Sequence, residues 1–271
     1  MKACVKLDPR GSKIDVTKII QILSKAGIEY STHKPDFAVV VGGDGVFNYY
    51  LRLLKIPLLL VGVGNRNAVG SKAYMAETYL SELPVTLEKL AERKYKIEEK
   101  KGLRVSAGQK KGHIFTDMYL ERGLDSNCLR YKVIVSDRDF SFIDYSISNG
   151  VIITTSLGST GYYSALDKLL SAKKLDTKKF SRIREEEIGI CHILPTFTQR
   201  RKNDVPGHVD PHQPLRYTVR YGAKIEIKLV RWGDARLYGL TTNIRGIRIK
   251  LDDVVRIGPS DHVAKLVRVV S

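Results

Sequence analysis

Cysteine is scarce in this chain of 271 residues: Cys4, Cys128 and Cys191 stand far apart, with no Cys-x-x-Cys pair. That excludes a disulfide framework and a cysteine-based zinc knuckle, and it implies a reducing, cytoplasmic compartment. Long apolar runs are missing as well. The longest, Ile56 to Val63, falls far short of the roughly 20 residues a membrane-spanning helix needs, so no membrane role is expected. The opening Met1-Lys2-Ala3-Cys4-Val5 leads straight into a charged loop, without the basic-then-apolar pattern of a secretion signal. Acidic residues are in deficit: 29 Asp and Glu face 46 Lys and Arg, a formal charge of +17. Such a balance fits an anionic partner, either nucleic acid or polyphosphate nucleotides, or else a basic surface that is merely solvated.

What is present first is an α/β pattern. Asp15 suits a helix N-cap, Val16, Ile19, Ile20, Leu23 and Ala26 share one helical face, and Gly27 is the stop. Phe37 to Val41 is a continuous apolar run, the mark of a strand covered on both faces. A glycine turn follows, then a helix predicted over Val46 to Lys55, and Pro57 ends it before a second buried strand, Leu58 to Val63. Residues 64–71 form a polar, glycine-bearing loop at the carboxyl end of that strand, the edge where open α/β sheets bind ligands. A helix is predicted across 72–94, interrupted by Pro84.

From about residue 95 the pattern turns to short segments rich in Val, Ile, Tyr and Thr. They lie at 103–107, 113–120, 131–136, 140–147, 151–155, 217–220, 224–230, 236–241, 247–250 and 253–257. Between them, Ser159 to Leu170 reads as helical and Lys173 to Glu187 as a charged connection. The expected architecture is a Rossmann-like α/β domain over 1–95, rejoined by 258–271, followed by a β-sandwich-like domain over 96–257, with the active site in the cleft between them.

Two turns carry the chemistry. Gly42-Gly43-Asp44-Gly45, after a buried strand and before a helix, lets the backbone approach a bound group and aims helix N–H groups at it. It is neither a Walker loop nor a Gly-x-Gly-x-x-Gly fingerprint, because the Lys or third Gly is missing. Asp44 is the odd residue: a carboxylate among phosphate-binding amides repels phosphate unless it takes up a proton or holds Mg²⁺, and the bland alternative is a helix N-cap. The second turn, Gly158-Ser159-Thr160-Gly161-Tyr162, also runs from a strand into a helical segment. There Ser159 and Thr160 are N-cap candidates, and Tyr162 either stacks on a base or packs on its own helix.

The order and spacing of these turns resemble the NAD kinase family, whose signatures are a GGDG turn, an Asn-Glu pair, and an Asp-Gly followed by Thr-Pro-Thr-Gly-Ser-Thr-Ala-Tyr. The resemblance covers roughly residues 36–260, with Leu87, Leu90, Tyr95, Ile97, Glu98 and Leu103 falling where the family has a helix and a strand. It departs at Val46 for Thr, Thr116-Asp117 for Asn-Glu, Asn149-Gly150 for Asp-Gly, and Thr155-Ser156-Leu157 for Thr-Pro-Thr, the pattern of a divergent, archaeal-type member. The resemblance implies phosphoryl transfer from ATP, with Mg²⁺, to the 2′-hydroxyl of the adenosine ribose of NAD. It assigns Asp44 the hydroxyl proton and gives Gly42, Gly43 and Gly45 room for phosphates. It also assigns Asp117 and Thr116 the ribose, Asn149 a base amine or ribose, and Ser159, Thr160, Gly161, Tyr162 and Ala165 the adenine side. A dimer or tetramer of identical chains is implied too.

Other readings stay open. Diacylglycerol and sphingosine kinases share the GGDG turn, and a weakly active nucleotide-binding relative would look alike. Lys173-Lys174, Lys178-Lys179, Arg182 to Arg184 and Arg200-Arg201-Lys202 offer a basic patch, yet match no RNA-binding signature. His208-Val-Asp-Pro-His212 has a metal-like look, but its prolines bar a regular zinc helix and a polar loop is expected. His192, beside Cys191 in an apolar run, reads as a core or cleft residue rather than half of a nucleophilic dyad.

Overall fold

A computed structural model describes residues 1–63, 73–165, 183–203, 209–210, 215–240 and 245–270 of the chain. The chain divides into two compact units, Met1–Lys100 with Val263–Ser271, and Lys101–His262.

The first unit holds β1 (Lys2–Lys6), α1 (Val16–Lys25), β2 (Glu29–Tyr30), β3 (Phe37–Gly42), α2 (Asp44–Leu53), β4 (Leu58–Gly62), β5 (Thr78–Tyr79) and α3 (Leu83–Ala91). Its strands pair in parallel in the order β4-β3-β1-β2, with β5 on the far side of β4. Asp15 caps α1 as its sequence position requires, its carboxylate accepting from the Thr17 N–H at 2.8 Å. Ile19 and Leu23 of α1 and Leu83, Leu87 and Leu90 of α3 cluster with Ala3, Phe37, Val39, Val41, Leu59 and Val61. Ala38, Val40, Leu58 and Leu60 alternate with that set and are equally buried, so both sheet faces are covered.

Two local expectations need correction here. Pro84 does not interrupt a long helix; it sits in the first turn of α3, where its missing N–H costs nothing, and residues 78–79 before it form β5. Helix α2 begins at Asp44 rather than Val46, because Gly43 serves as N-cap.

Among its described residues the second unit is all β apart from one turn of 3₁₀ helix. It holds β6 (Tyr95–Ala107, entering from the first unit), β7 (Lys110–Ile114), β8 (Asp117–Arg122), β9 (Leu129–Ser136), β10 (Ser141–Ser148), β11 (Gly150–Thr154), β12 (Glu187–Ile193) and β13 (Phe197–Lys202). After these come β14 (Val209–Asp210), β15 (Arg216–Arg220), β16 (Lys224–Leu229), β17 (Ala235–Tyr238), β18 (Ile247–Ile249) and β19 (Val254–Val269, leaving for the first unit). One antiparallel sheet runs β14-β13-β10-β9-β16-β19 and the other β15-β12-β11-β8-β17-β18. Alternate residues of both, among them Leu120, Val133, Val135, Val151, Ile153, Ile190, Ile225, Ile227 and Leu237, form one core, which is a β-sandwich.

The helix predicted over Ser159–Leu170 is present only as the 3₁₀ turn Tyr162–Ser164, and 166–170 lie outside the described residues. Strands β12 and β13 fall where no strand was predicted. No helix among the described residues is long and apolar enough to cross a membrane.

Candidate active site

In the first unit, Gly42 ends β3 with no room for a side chain, since a Cβ there would stand 2.7 Å from that of Val46. Gly43 then starts α2, its carbonyl accepting from the N–H groups of Val46 at 2.9 Å and Phe47 at 3.1 Å. The next residue, Asp44, does not cap α2. Its Oδ2 accepts from the Tyr74 N–H at 3.1 Å and its Oδ1 from the Met75 N–H at 3.0 Å, so the carboxylate is fixed from a segment 30 residues away. Gly45 is exposed with open space around it, unlike Gly42. The turn thus presents a carboxylate of set orientation beside the N-terminus of a ten-residue helix.

In the second unit, Thr116 and Asp117 open β8, and the chain leaving β11 folds onto them. Thr155 N–H donates to the Thr116 carbonyl at 2.9 Å, and its hydroxyl donates to the Phe115 carbonyl at 2.6 Å. Gly158 is pressed so closely against this segment that a Cβ would meet the Thr116 carbonyl carbon at 2.5 Å. Ser159 does not act as an N-cap: its hydroxyl donates back to the Ser156 carbonyl at 2.7 Å. Thr160 does not cap by its side chain either; its carbonyl accepts from the Ser164 hydroxyl at 3.0 Å. Gly161 sits against Asp117, Tyr162 follows, and Ala165 closes the 3₁₀ turn.

Asp117 is part-buried, and burial pushes its carboxyl above the usual carboxylate range, against the pull of its own N–H and that of Tyr162. The buried Thr116 hydroxyl meets no partner at hydrogen-bonding geometry, although it lies close enough to Asp117 to help hold that pKa down. The Tyr162 ring is 40% exposed and meets Tyr119 edge-on at 5.5 Å, and Tyr119 stacks on Tyr238 at 5.2 Å. Burial first, then the Glu121 carboxylate, raises the Tyr162 phenol. A desolvated carboxylate beside exposed aromatic faces can accept ribose hydroxyls and stack a base. Tyr119, Glu121 and Tyr238 escaped the sequence reading, though Asp117, Tyr119 and Glu121 alternate on one face of β8.

Asn149 is not part of this group. It precedes β11, while Thr155 and the second turn follow it, so the strand between them sets them about 20 Å apart. Its backbone is held between Arg122 and Ile193. Gly150 beside it is obligatory, with φ of +151° and a Cβ position 1.9 Å from the Leu120 carbonyl oxygen.

The 64–71 loop, the 173–182 part of the basic stretch, and His208 and His212 lie outside the described residues. Of the remaining basic positions, Arg200 is not a surface contact for nucleic acid. Its guanidinium donates to both oxygens of the fully buried Asp144, at 2.7 and 3.0 Å.

This two-part fold is that of solved kinases of pyridine dinucleotides. The crystal structure of an NAD kinase from Archaeoglobus fulgidus in complex with ATP matches 98% of this chain and 93% of its own, with a TM-score of 0.67 and 19% identity. Yeast NADH kinase, solved with NADH, matches 100% of this chain and 83% of its own, with a TM-score of 0.68 and 14% identity. In sequence the chain is similar to the NAD kinase of Caldanaerobacter subterraneus subsp. tengcongensis, 31% identical over 146 residues, which are 51% of this chain and 48% of that one. The chain spans about half the length of the curated relatives it matches. No protein-family model matches it. The resemblance read from the motifs is borne out in both sequence and fold.

Proposed function

We propose that this chain is an NAD kinase that moves the terminal phosphoryl group of ATP, or of another polyphosphate, to the 2′-hydroxyl of the adenosine ribose of NAD, giving NADP. Its likeness in sequence to curated NAD kinases carries the proposal, and the shared fold supports it.

The attacking hydroxyl oxygen forms the new P–O bond, the bond to the leaving ADP breaks, and the hydroxyl proton passes to the Asp44 carboxylate. Two backbone N–H groups hold that carboxylate's angle while each oxygen keeps a second lone pair for the proton. Such a transfer depends on positioning and charge neutralisation. Mg²⁺ enters as part of the substrate, on the phosphates of ATP, whose hard oxygens suit it. Gly42, Gly43 and Gly45 give phosphates room. Asp117, Thr116, Ser159, Thr160, Gly161, Tyr162 and Ala165 hold nucleotide, Asp117 accepting ribose hydroxyls. Asn149 takes a separate contact to base or ribose.

The protein works in the cytoplasm as a dimer or tetramer. Support for assembly comes from the resemblance and from the exposed sheet edges of the second unit, which association would cover.

The test is NADP formation by the purified chain with NAD, Mg²⁺ and either ATP or polyphosphate, beside Asp44→Asn. Asn keeps the shape and one acceptor but loses the base, so kcat should fall about 10²–10⁴-fold. A folded wild type that makes no NADP from either donor refutes the kinase. An Asp44→Asn variant within a few-fold of wild type refutes only the base.

A further inference from the structure

His113 on β7 and Asp261 and His262 on β19 come together in the second unit, although His113 is about 150 residues from the other two. Each offers a ligand atom, and these atoms all lie within 4.8 Å of one another. The two imidazole rings stand 4.2 Å apart at 47°. Beneath them is a hydrogen-bonded floor. The Ser260 hydroxyl contacts His113 Nδ1 at 2.7 Å and accepts from the His262 N–H at 2.9 Å. Ser260 is itself fixed by Tyr221, whose hydroxyl accepts from the Ser260 N–H at 3.2 Å and donates to the Gly102 carbonyl at 2.5 Å.

We propose that His113, Asp261 and His262 form a binding site for a divalent transition metal of the zinc class. Two imidazoles and one carboxylate match the donor preference of Zn²⁺, Co²⁺ or Ni²⁺ and not the all-oxygen preference of Mg²⁺, so this site is distinct from the Mg²⁺ carried by ATP. The Ser260 contact is the outer-shell partner such a histidine needs. With Nδ1 as the donor to Ser260, the tautomer leaves the lone pair on Nε2, and the ring cannot swing away. Asp261 is exposed and neither histidine is fully buried, so an ion reaches the site from solvent and keeps open positions for water. Bound there, it ties the β6–β7 hairpin to β19 through side chains as well as strand pairing.

The test uses the full chain, stripped with a chelator and titrated with Co²⁺ while its visible absorption is followed, then with Zn²⁺ in competition. Wild type should take up one ion per chain at this site. His262→Ala should bind at least tenfold more weakly, and His113→Ala with His262→Ala should abolish it. Ser260→Ala, which removes no ligand, should weaken binding by about 10–100-fold. Zn²⁺ should raise the melting temperature of wild type and not of the double variant. Uptake and thermal shift that persist unchanged in the double variant, or a wild type that binds no ion at micromolar concentration, overturn the proposal. His262→Gln, a conservative change at a position open to solvent, repeats the test should the double variant misfold.

Discussion

The Asp144 carboxylate has no solvent contact, and what surrounds it sets the cost of disturbing it. Arg200 donates to both its oxygens, Tyr217 donates its hydroxyl to Oδ2, and His192 Nε2 stands 3.8 Å away. His192 Nδ1 in turn meets the Tyr131 hydroxyl at 2.8 Å, which donates to the Gly150 carbonyl at 2.7 Å. The Arg200 guanidinium also lies over the rings of Phe142 and Tyr217, at 4.1 and 4.5 Å. Removing either charge leaves the other buried and uncompensated, which costs about 3–5 kcal/mol, so Asp144→Ala and Arg200→Ala should each lose that much. The double variant leaves no buried charge, so its loss should fall short of the sum by about 2 kcal/mol or more. Urea unfolding followed by circular dichroism, with Trp232 fluorescence as a probe of the second unit, measures all three. Losses below about 1 kcal/mol, or strict additivity, refute the network as a coupled unit.

The same network sets the acid response. Burial pushes the Asp144 carboxyl up, but the neighbouring His192 and the hydrogen bonds and charge of Arg200 outweigh it and hold it below its ordinary 3.8. A carboxyl whose folded pKa lies below its unfolded value stabilises fully at neutral pH. That stabilisation is lost as pH falls from the ordinary value toward the folded one.

Two further substitutions separate packing from function. Gly150→Ala places a Cβ 1.9 Å from a backbone oxygen at a φ of +151°, so about 3 kcal/mol or more should be lost in denaturant titration, and a wild-type midpoint refutes the fit. Asp117→Asn removes a charge whose folded pKa is raised, a group that weakens folding as pH climbs through that pKa. The variant should melt higher than wild type at pH 7 while binding nucleotide more weakly, and a lower melting temperature refutes the desolvation argument.

The parts legible in sequence were those whose signals are local. Phe37 to Val41 shows a doubly covered strand because all its residues are apolar, and the glycines after it show the turn. Ile188 to Ile193 carries the same buried pattern, yet went unread as a strand beside a charged connection; the run itself was the available signal. Pro84 misled because a proline looks the same inside a helix as in its first turn, and only the preceding β5 decides. Arg200-Arg201-Lys202 reads in sequence as part of a basic patch because the pairing of β13 with β10, which brings Arg200 to Asp144, spans 56 residues. The partners of Asp44 at Tyr74 and Met75, and of His113 at Ser260, are likewise products of chain return that no periodicity records.

Asp117 and Asp144 show what the fold adds to residue identity. Both are strand aspartates of one unit, both are withdrawn from water, and their pKa values move in opposite directions. Asp144 is given an arginine, a tyrosine and a histidine, so its charge is answered inside the protein and its role is to lock two sheets in register. Asp117 is given backbone N–H groups and the neighbouring Thr116 hydroxyl rather than an arginine. A carboxylate left under-compensated beside tyrosine faces is what the proposed ribose contact of Asp117 requires, since ribose hydroxyls would supply the missing donors. By that reasoning a cation placed beside Asp117, through Thr116→Lys, should lower its pKa and compete with nucleotide, whereas the same change near Asp144 would only unsettle the core.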